Sequence, residues 1–164
     1  MLGDAIREHY TAIGVVAAEW AYLELTIDRY AIALADISGD IASCFTAQVI
    51  GSARKLDAYI ALADYRGVKD LIGELHQFAK QTAGLAERRN RIIHDPWIVG
   101  VGIAGFHEPQ RLEITARRKL RRLRVDVPTA DVMKCGNDIR EQVHRLDVLH
   151  ERVIGEISSR EHPE

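Results

Sequence analysis

The sequence predicts a mainly α protein, an up-and-down four-helix bundle with a short antiparallel β insertion between helices 3 and 4. Three observations predict it. Apolar residues recur at spacings of three and four along four long stretches, which lines one face of each as a helix. Between about 97 and 127 the period falls to two, among β-branched residues and glycines, which is strand patterning. The connections between the first three helical stretches are short, so those helices are expected as antiparallel neighbours. At 164 residues the chain reads as one domain, 1–164, long enough for a substantial core.

The first helix, about 4–36, carries Ile6, Tyr10, Ile13, Ala17, Trp20, Ile27, Ala31 and Leu34 along its seam. Glu24 fills one seam position. Two readings stand open: the seam shifts to Leu23 and Leu25 and leaves Glu24 at its edge, or Glu24 pairs with a cation, Arg89 being the candidate. Ser38-Gly39-Asp40 is a turn with Asp40 as cap for the second helix, about 41–65. That helix turns Ile41, Phe45, Val49, Leu56, Ile60 and Ala63 inward, and Gly67 suits the left-handed position that closes it. The third helix, about 68–94, has the seam Leu71, Leu75, Phe78, Thr82, Leu85, Arg89, Ile92. Pro96 must end it.

Trp97 to Ile103 reads as a strand, and Phe106 to Gln110 as the loop after it. Leu112, Ile114 and Ala116 alternate with polar residues, then Leu123, Val125 and Val127 do so in the opposite parity. A turn is therefore expected near Arg118-Lys119. Pro128-Thr129 opens the last helix, about 129–158, with Thr129 as cap. Its seam runs Val132, Gly136, Ile139, Val143, Leu146, His150, Val153, Ile157.

Composition excludes several classes. The chain is 47% apolar and 28% charged with net charge −2, so any nucleic-acid contact must come from a local patch. Cys44 and Cys135 are far apart and form no CxxC, which argues against a thiolate zinc site or a disulfide framework and fits a reducing cytoplasm. The N-terminus lacks a basic region followed by an apolar one, and no apolar run approaches the ~20 residues of a membrane span. Gly100, Gly102 and Gly105 have dinucleotide-loop spacing, but they lead into Phe-His-Glu-Pro rather than a helix.

The chemistry concentrates at Arg88-Arg89-Asn90-Arg91-Ile92-Ile93-His94-Asp95-Pro96. Arg89 stands where the seam asks for a leucine, and arginine is rarely buried without a partner. His94 is five residues on, about 140° round an ideal helix, but a last turn loosened by Pro96 could bring it towards Arg89. Histidine is the side chain suited to proton transfer near neutral pH, and arginine the best fork for phosphate oxygens. The pair fits attack of an RNA 2′-hydroxyl on its own phosphorus, which needs no metal. The competing reading is that cations in a last turn simply favour the negative end of the helix dipole. The adjacent His94-Asp95 invites a metal reading with His76 and Asp131 or Asp138, but Pro96 ends the helix there and the remaining ligands lack a pattern. No metal or other cofactor is expected. Six of the eight residues Arg117-Arg118-Lys119-Leu120-Arg121-Arg122-Leu123-Arg124 are cationic. They are either a hairpin that contacts an RNA backbone or a solvated hairpin that discourages edge pairing.

Arg89-Asn90-Arg91-Ile92-Ile93-His94, late on a long helix of such a bundle, resembles the R-x4–6-H motif of HEPN domains, and the short strands before a long final helix resemble a HEPN subgroup with a β insertion. The resemblance implies a metal-independent endoribonuclease, often a toxin or defence effector, acting as a homodimer whose two motifs meet. Arg89 would polarise the scissile phosphate, His94 would act as general acid/base and Asn90 would orient the site, with Arg88, Arg91 and the basic hairpin against RNA. An antitoxin or another protein partner is implied for some members. Others are non-catalytic, so a dimeric module that binds RNA, a nucleotide or a protein is the alternative. Subgroups paired with nucleotidyltransferase antitoxins carry a tyrosine two residues after the histidine. Here Pro96 stands there, which departs from that pattern.

Overall fold

The computed structural model describes residues 2–102, 105–106, 109–115 and 120–161. Arg117, Arg118, Lys119, His107, Glu108 and the side chains of Phe45 and Arg121 lie outside the described residues, as does the expected turn at Arg118-Lys119.

The fold class is as the sequence predicts: mainly α, with a small antiparallel sheet after the long third helical stretch. The helix count differs. Among the described residues there are five: α1 Leu2–Ala35, α2 Gly39–Thr46, α3 Ser52–Tyr65, α4 Ile72–His94 and α5 Thr129–Glu161. The expected single helix over 41–65 is broken between Thr46 and Ser52. Gly51 there has φ 89, a conformation that suits glycine and stops an α-helix. Ile41, expected inward, is 57% exposed. Asp40 lies in the first turn of α2 rather than before it, where its charge still meets the positive end of the helix dipole.

Gly67 closes α3 as expected, with φ 92. Its N–H donates to Asp64 O at 3.0 Å, and that of Val68 to Ala63 O at 3.0 Å, which satisfies two terminal carbonyls. Residues 68–71 are not helical, so α4 begins four residues later than expected. The N–H groups of Lys69 and Asp70 instead donate to Glu156 Oε1 at 2.8 and 3.3 Å.

The strands are β1 Trp97–Ile98, β2 Val101–Gly102, β3 Gly105–Phe106, β4 Gln110–Thr115 and β5 Arg121–Asp126. β1, β4 and β5 form one antiparallel sheet in that order, while β2 and β3 pair separately. Phe106 and Gln110, expected in a loop, belong to β3 and β4. The β4–β5 register pairs Leu112 with Arg124 and Glu113 with Leu123. The opposite parity of the two strands thus puts their apolar residues on opposite faces of the sheet. Ile114 and Leu123 are 51% and 58% exposed.

Backbone contacts gather into two compact units, Met1–Trp20 with Glu87–Ile139, and Ala21–Ala86 with Arg140–Glu164. The first unit contains the sheet and the motif. Its interior takes His9, Ala12, Val16, Trp20, Ile92, Val132, Cys135 and Ile139. This corrects the expected α1 seam by one residue: Tyr10 is 54% exposed and His9 fully buried. Gly136 permits a close approach in this unit, since a Cβ there would stand 3.0 Å from Val15 Cγ1.

The second unit buries Leu23, Ile27, Leu34, Leu56, Tyr59, Leu75, Phe78, Leu146 and Val153. Leu25 is 45% exposed, so only Leu23 joins the seam beside half-buried Glu24. Thr82 fills a fully apolar-looking seam position because it has polar partners. Its hydroxyl donates to Phe78 O at 3.0 Å and accepts from Gln142 Nε2 at 2.9 Å. His150 stacks on Tyr30 at 3.8 Å and its Nδ1 lies 3.1 Å from the Tyr59 hydroxyl. Tyr30 donates to Asp147 at 2.7 Å, and burial and that carboxylate push its phenol up to about 12. Among the described residues no helix is long and apolar enough to cross a membrane.

Candidate functional site

The motif sits on the last two turns of α4, and these turns stay regular. The N–H of Asp95 donates to Arg91 O at 3.2 Å, an α-helical bond that closes the turn containing His94. The expected loosening of that turn is therefore absent. Its reason is local. Pro96 has no N–H for the carbonyl of Ile92, but Trp97 Nε1 donates to that carbonyl at 2.8 Å. The indole replaces the bond that proline removes, and the helix need not unwind. Along a regular helix Arg89 and His94 project about 140° apart.

Trp97 is held in turn by His9. The rings meet edge to face with centroids 4.5 Å apart. His9 Nδ1 lies 3.0 Å from Thr129 Oγ1, so the Thr129 hydroxyl, expected as a cap for α5, meets this histidine. Burial pushes the His9 imidazole below its ordinary value, and its Nε2 has no partner among the described residues.

Arg89 is half-buried. Its guanidinium donates through Nη1 to Asn90 Oδ1 at 2.9 Å and lies 5.8 Å from the centroid of the Trp20 ring. Its Nε is buried with no hydrogen-bond partner among the described residues. Glu24, the expected partner, is half-buried on α1 in the second unit. The neighbouring arginines differ. Arg88 meets Asp138 at 2.7 Å, Arg91 meets Glu113 at 2.8 Å, and Arg111 lies 3.4 Å from Asp95 and bonds Glu113 as well. Around the end of α4, Arg89 alone among these four described arginines has an amide and an indole face in place of a carboxylate. His94 is exposed.

Arg88, Arg91 and Ile92 share the other side of α4, at spacings of three and four. With Arg111 of β4, Val127, and Asp131 and Lys134 of α5 they line a cavity of about 300 Å³. Lys134 meets Asp138 at 2.9 Å. The hydrogen bond from Arg111, and then Arg91, holds the Glu113 carboxyl below its ordinary range. At Asp138 burial pushes upward, but Lys134 and Arg88 outweigh it and hold the carboxyl low.

The structure thus brings Arg88 and Arg91 together, and Arg89 with Asn90. It does not turn Arg89 and His94 of one chain to a common point. Arg122 and Arg124 are exposed on β5. Among the described residues no three His, Cys, Asp or Glu side chains gather as metal ligands, and Asp95 is engaged by Arg111. Sequence reasoning missed His9, Arg111 and Lys134. A two-residue alternation placing Arg111 beside Trp97 could have flagged Arg111; no sequence signal separates Lys134 from other surface lysines. No family model, curated protein or solved structure matches the chain.

Proposed function

We propose that the chain is a metal-independent endoribonuclease of the type the HEPN resemblance implies, a cytoplasmic toxin or defence effector working as a homodimer. The observation that carries this reading is Arg89: a half-buried guanidinium with no carboxylate partner among the described residues and a buried Nε lacking an acceptor. A buried donor without a partner is costly, on the order of 1–3 kcal/mol. A phosphate drawn to the rest of this guanidinium would supply the anionic partner that no carboxylate among the described residues supplies.

In the reaction the 2′-oxygen bonds to phosphorus and the bond to the 5′-oxygen breaks, giving a 2′,3′-cyclic phosphate. One proton leaves the 2′-hydroxyl and one must reach the departing 5′-oxygen. His94, exposed at the helix end, is the group to move a proton, and Arg89 would neutralise charge building on the phosphate. Asn90 holds the Arg89 guanidinium at 2.9 Å and so fixes its plane. Two chains would set the arginine of one opposite the imidazole of the other, and that imidazole could accept the 2′-hydroxyl proton and pass it to the departing 5′-oxygen. Arg88, Arg91, Arg122 and Arg124 would meet the RNA backbone, joined by Arg117, Arg118, Lys119 and Arg121, and an antitoxin would act by covering this surface.

The test is incubation of purified protein with diverse RNAs in EDTA. Cyclic-phosphate ends are expected. Arg89→Ala and His94→Ala should each reduce cleavage by about a hundredfold or more, and each should relieve toxicity on expression. Intact RNA from folded wild-type protein would refute the reading. A second reading has its own support in the 140° offset of Arg89 from His94: a non-catalytic dimer that binds RNA, a nucleotide or a protein partner. Binding without cleavage, unaffected by His94→Ala, would select it.

A further inference from the structure

The cavity between α4, β4 and the start of α5 was no part of the sequence motif, and its lining is unusual. Arg88, Arg91, Arg111 and Lys134 come to it from three elements, against one lining carboxylate, Asp131. Three further carboxylates orient these cations. Asp138 takes Arg88 Nη1 and Lys134, Glu113 takes Arg91 Nη1 and Arg111 Nη2, and Asp95 lies beside Arg111 Nε. A guanidinium has five N–H donors in a fixed fork, and each of these ion pairs engages only part of it. Arg88 and Arg91 each use a single described nitrogen, Nη1. Arg111 gives Nη2 to Glu113, while its buried Nε stands 3.4 Å from Asp95. Its side chain is only 12% exposed. Oriented planes with spare donors around a cavity are what a tetrahedral oxyanion requires.

We propose that this cavity is a phosphate-binding subsite, taking a phosphate group either of a free mononucleotide or of an RNA backbone. The inference deepens the ribonuclease reading, since it shares Arg88 and Arg91 with the RNA-contact surface, and it adds Arg111 and Lys134, which no motif assigns. The cavity volume of about 300 Å³ exceeds the needs of a phosphate alone and stands at the lower end of small-ligand pockets. The attached sugar can enter with it. Four cations face four carboxylates when Asp131 is counted, so binding draws on directed donors more than on net charge, and Asp131 opposes it.

That opposition gives the test a sign. Inorganic phosphate, adenosine 5′-monophosphate and a short single-stranded RNA are titrated into the full chain by calorimetry at low salt. Lys134→Met removes a largely exposed cation, whose pull is screened by water, and should weaken binding of all phosphate probes by about threefold. Asp131→Asn should strengthen it by about threefold. Circular dichroism checks that both variants are folded. Tighter binding of the mononucleotide than of RNA identifies a nucleotide site; the reverse identifies a backbone subsite. No phosphate binding at millimolar concentration, or affinities unmoved by both variants, overturns the proposal. Phosphate binding in a protein that leaves RNA intact sinks the ribonuclease reading and keeps the subsite; cleavage without phosphate binding does the opposite.

Discussion

Replacing Trp97 by Phe tests whether the indole is what keeps the end of α4 regular. The carbonyl of Ile92 should accept from residue 96, but Pro96 has no N–H, and Trp97 Nε1 supplies the bond at 2.8 Å instead. Phe keeps an aromatic ring against His9 and removes the donor. Leaving a buried carbonyl unpaired costs roughly 1–3 kcal/mol. Trp97 is half-buried, so water reaches the position in part, and the lower half of that range applies, about 1–2 kcal/mol. For a chain of this size that corresponds to a Tm lower by about 2–8 °C. Urea unfolding followed by circular dichroism reads it as a lower midpoint at unchanged slope. Pro96→Ala restores an N–H to the position that ought to donate. The double variant Pro96→Ala, Trp97→Phe should therefore be less destabilised than the two single changes sum to, by about 0.5–1.5 kcal/mol. Additive losses, or a Trp97→Phe variant as stable as wild type, would refute the account of how this helix ends.

The remaining predictions concern charge and packing. His9 and His150 are both held below the ordinary histidine value by burial, so the folded state prefers them neutral while the unfolded chain still takes up protons. Their contribution is present above the unfolded value near 6.5 and is lost as pH falls below it, with a slope of at most about 1.4 kcal/mol per pH unit for each. Denaturation midpoints between pH 8 and pH 5 should show that fall, and His9→Gln should reduce it. Gly136→Val forces a side chain against Val15 and should cost about 1–3 kcal/mol, while Gly155→Ala, which meets nothing within 4 Å, should stabilise by about 0.5–1 kcal/mol. Thermal melts of the two variants should move in opposite directions. Thr82→Val removes the shorter of the two bonds from buried Gln142 Nε2, leaving Phe78 O at 3.3 Å, and should destabilise by about 1 kcal/mol despite its matching shape. Arg122→Ala with Arg124→Ala should lower the slope of RNA affinity against salt by about two, and an unchanged slope would make the hairpin a solubility device.

Long-period signals in the sequence carried most of the fold. The α5 seam from Val132 to Ile157 is buried throughout apart from half-buried His150, because a long regular helix repeats one pattern without interruption. The α3 stop at Gly67 was legible because a left-handed residue is needed there. The break before Ser52 was not, since Gly51 sits inside a periodic stretch and a glycine in a helical pattern is tolerated as often as it is decisive. The first half of α1 was misread by one residue because the seam excluded a histidine in favour of Tyr10. Only a partner 120 residues away, Thr129, makes His9 an interior residue. At the site, Arg89 stood out because it interrupts a seam. The regular turn under His94 did not, because it depends on an indole reaching back across a proline. The cation cavity needs three elements brought together, and no local pattern encodes that.

The regular end of α4 also fixes how any two-residue chemistry at the motif would respond to dilution. One helix that holds Arg89 and His94 about 140° apart cannot bring both to the same phosphorus. A reaction that uses both must take one from each of two chains. Its rate would then fall with the square of protein concentration once the chains separate. Mixing the two inactive proteins, Arg89→Ala and His94→Ala, would return part of the activity, because some mixed pairs keep one intact arginine opposite one intact histidine.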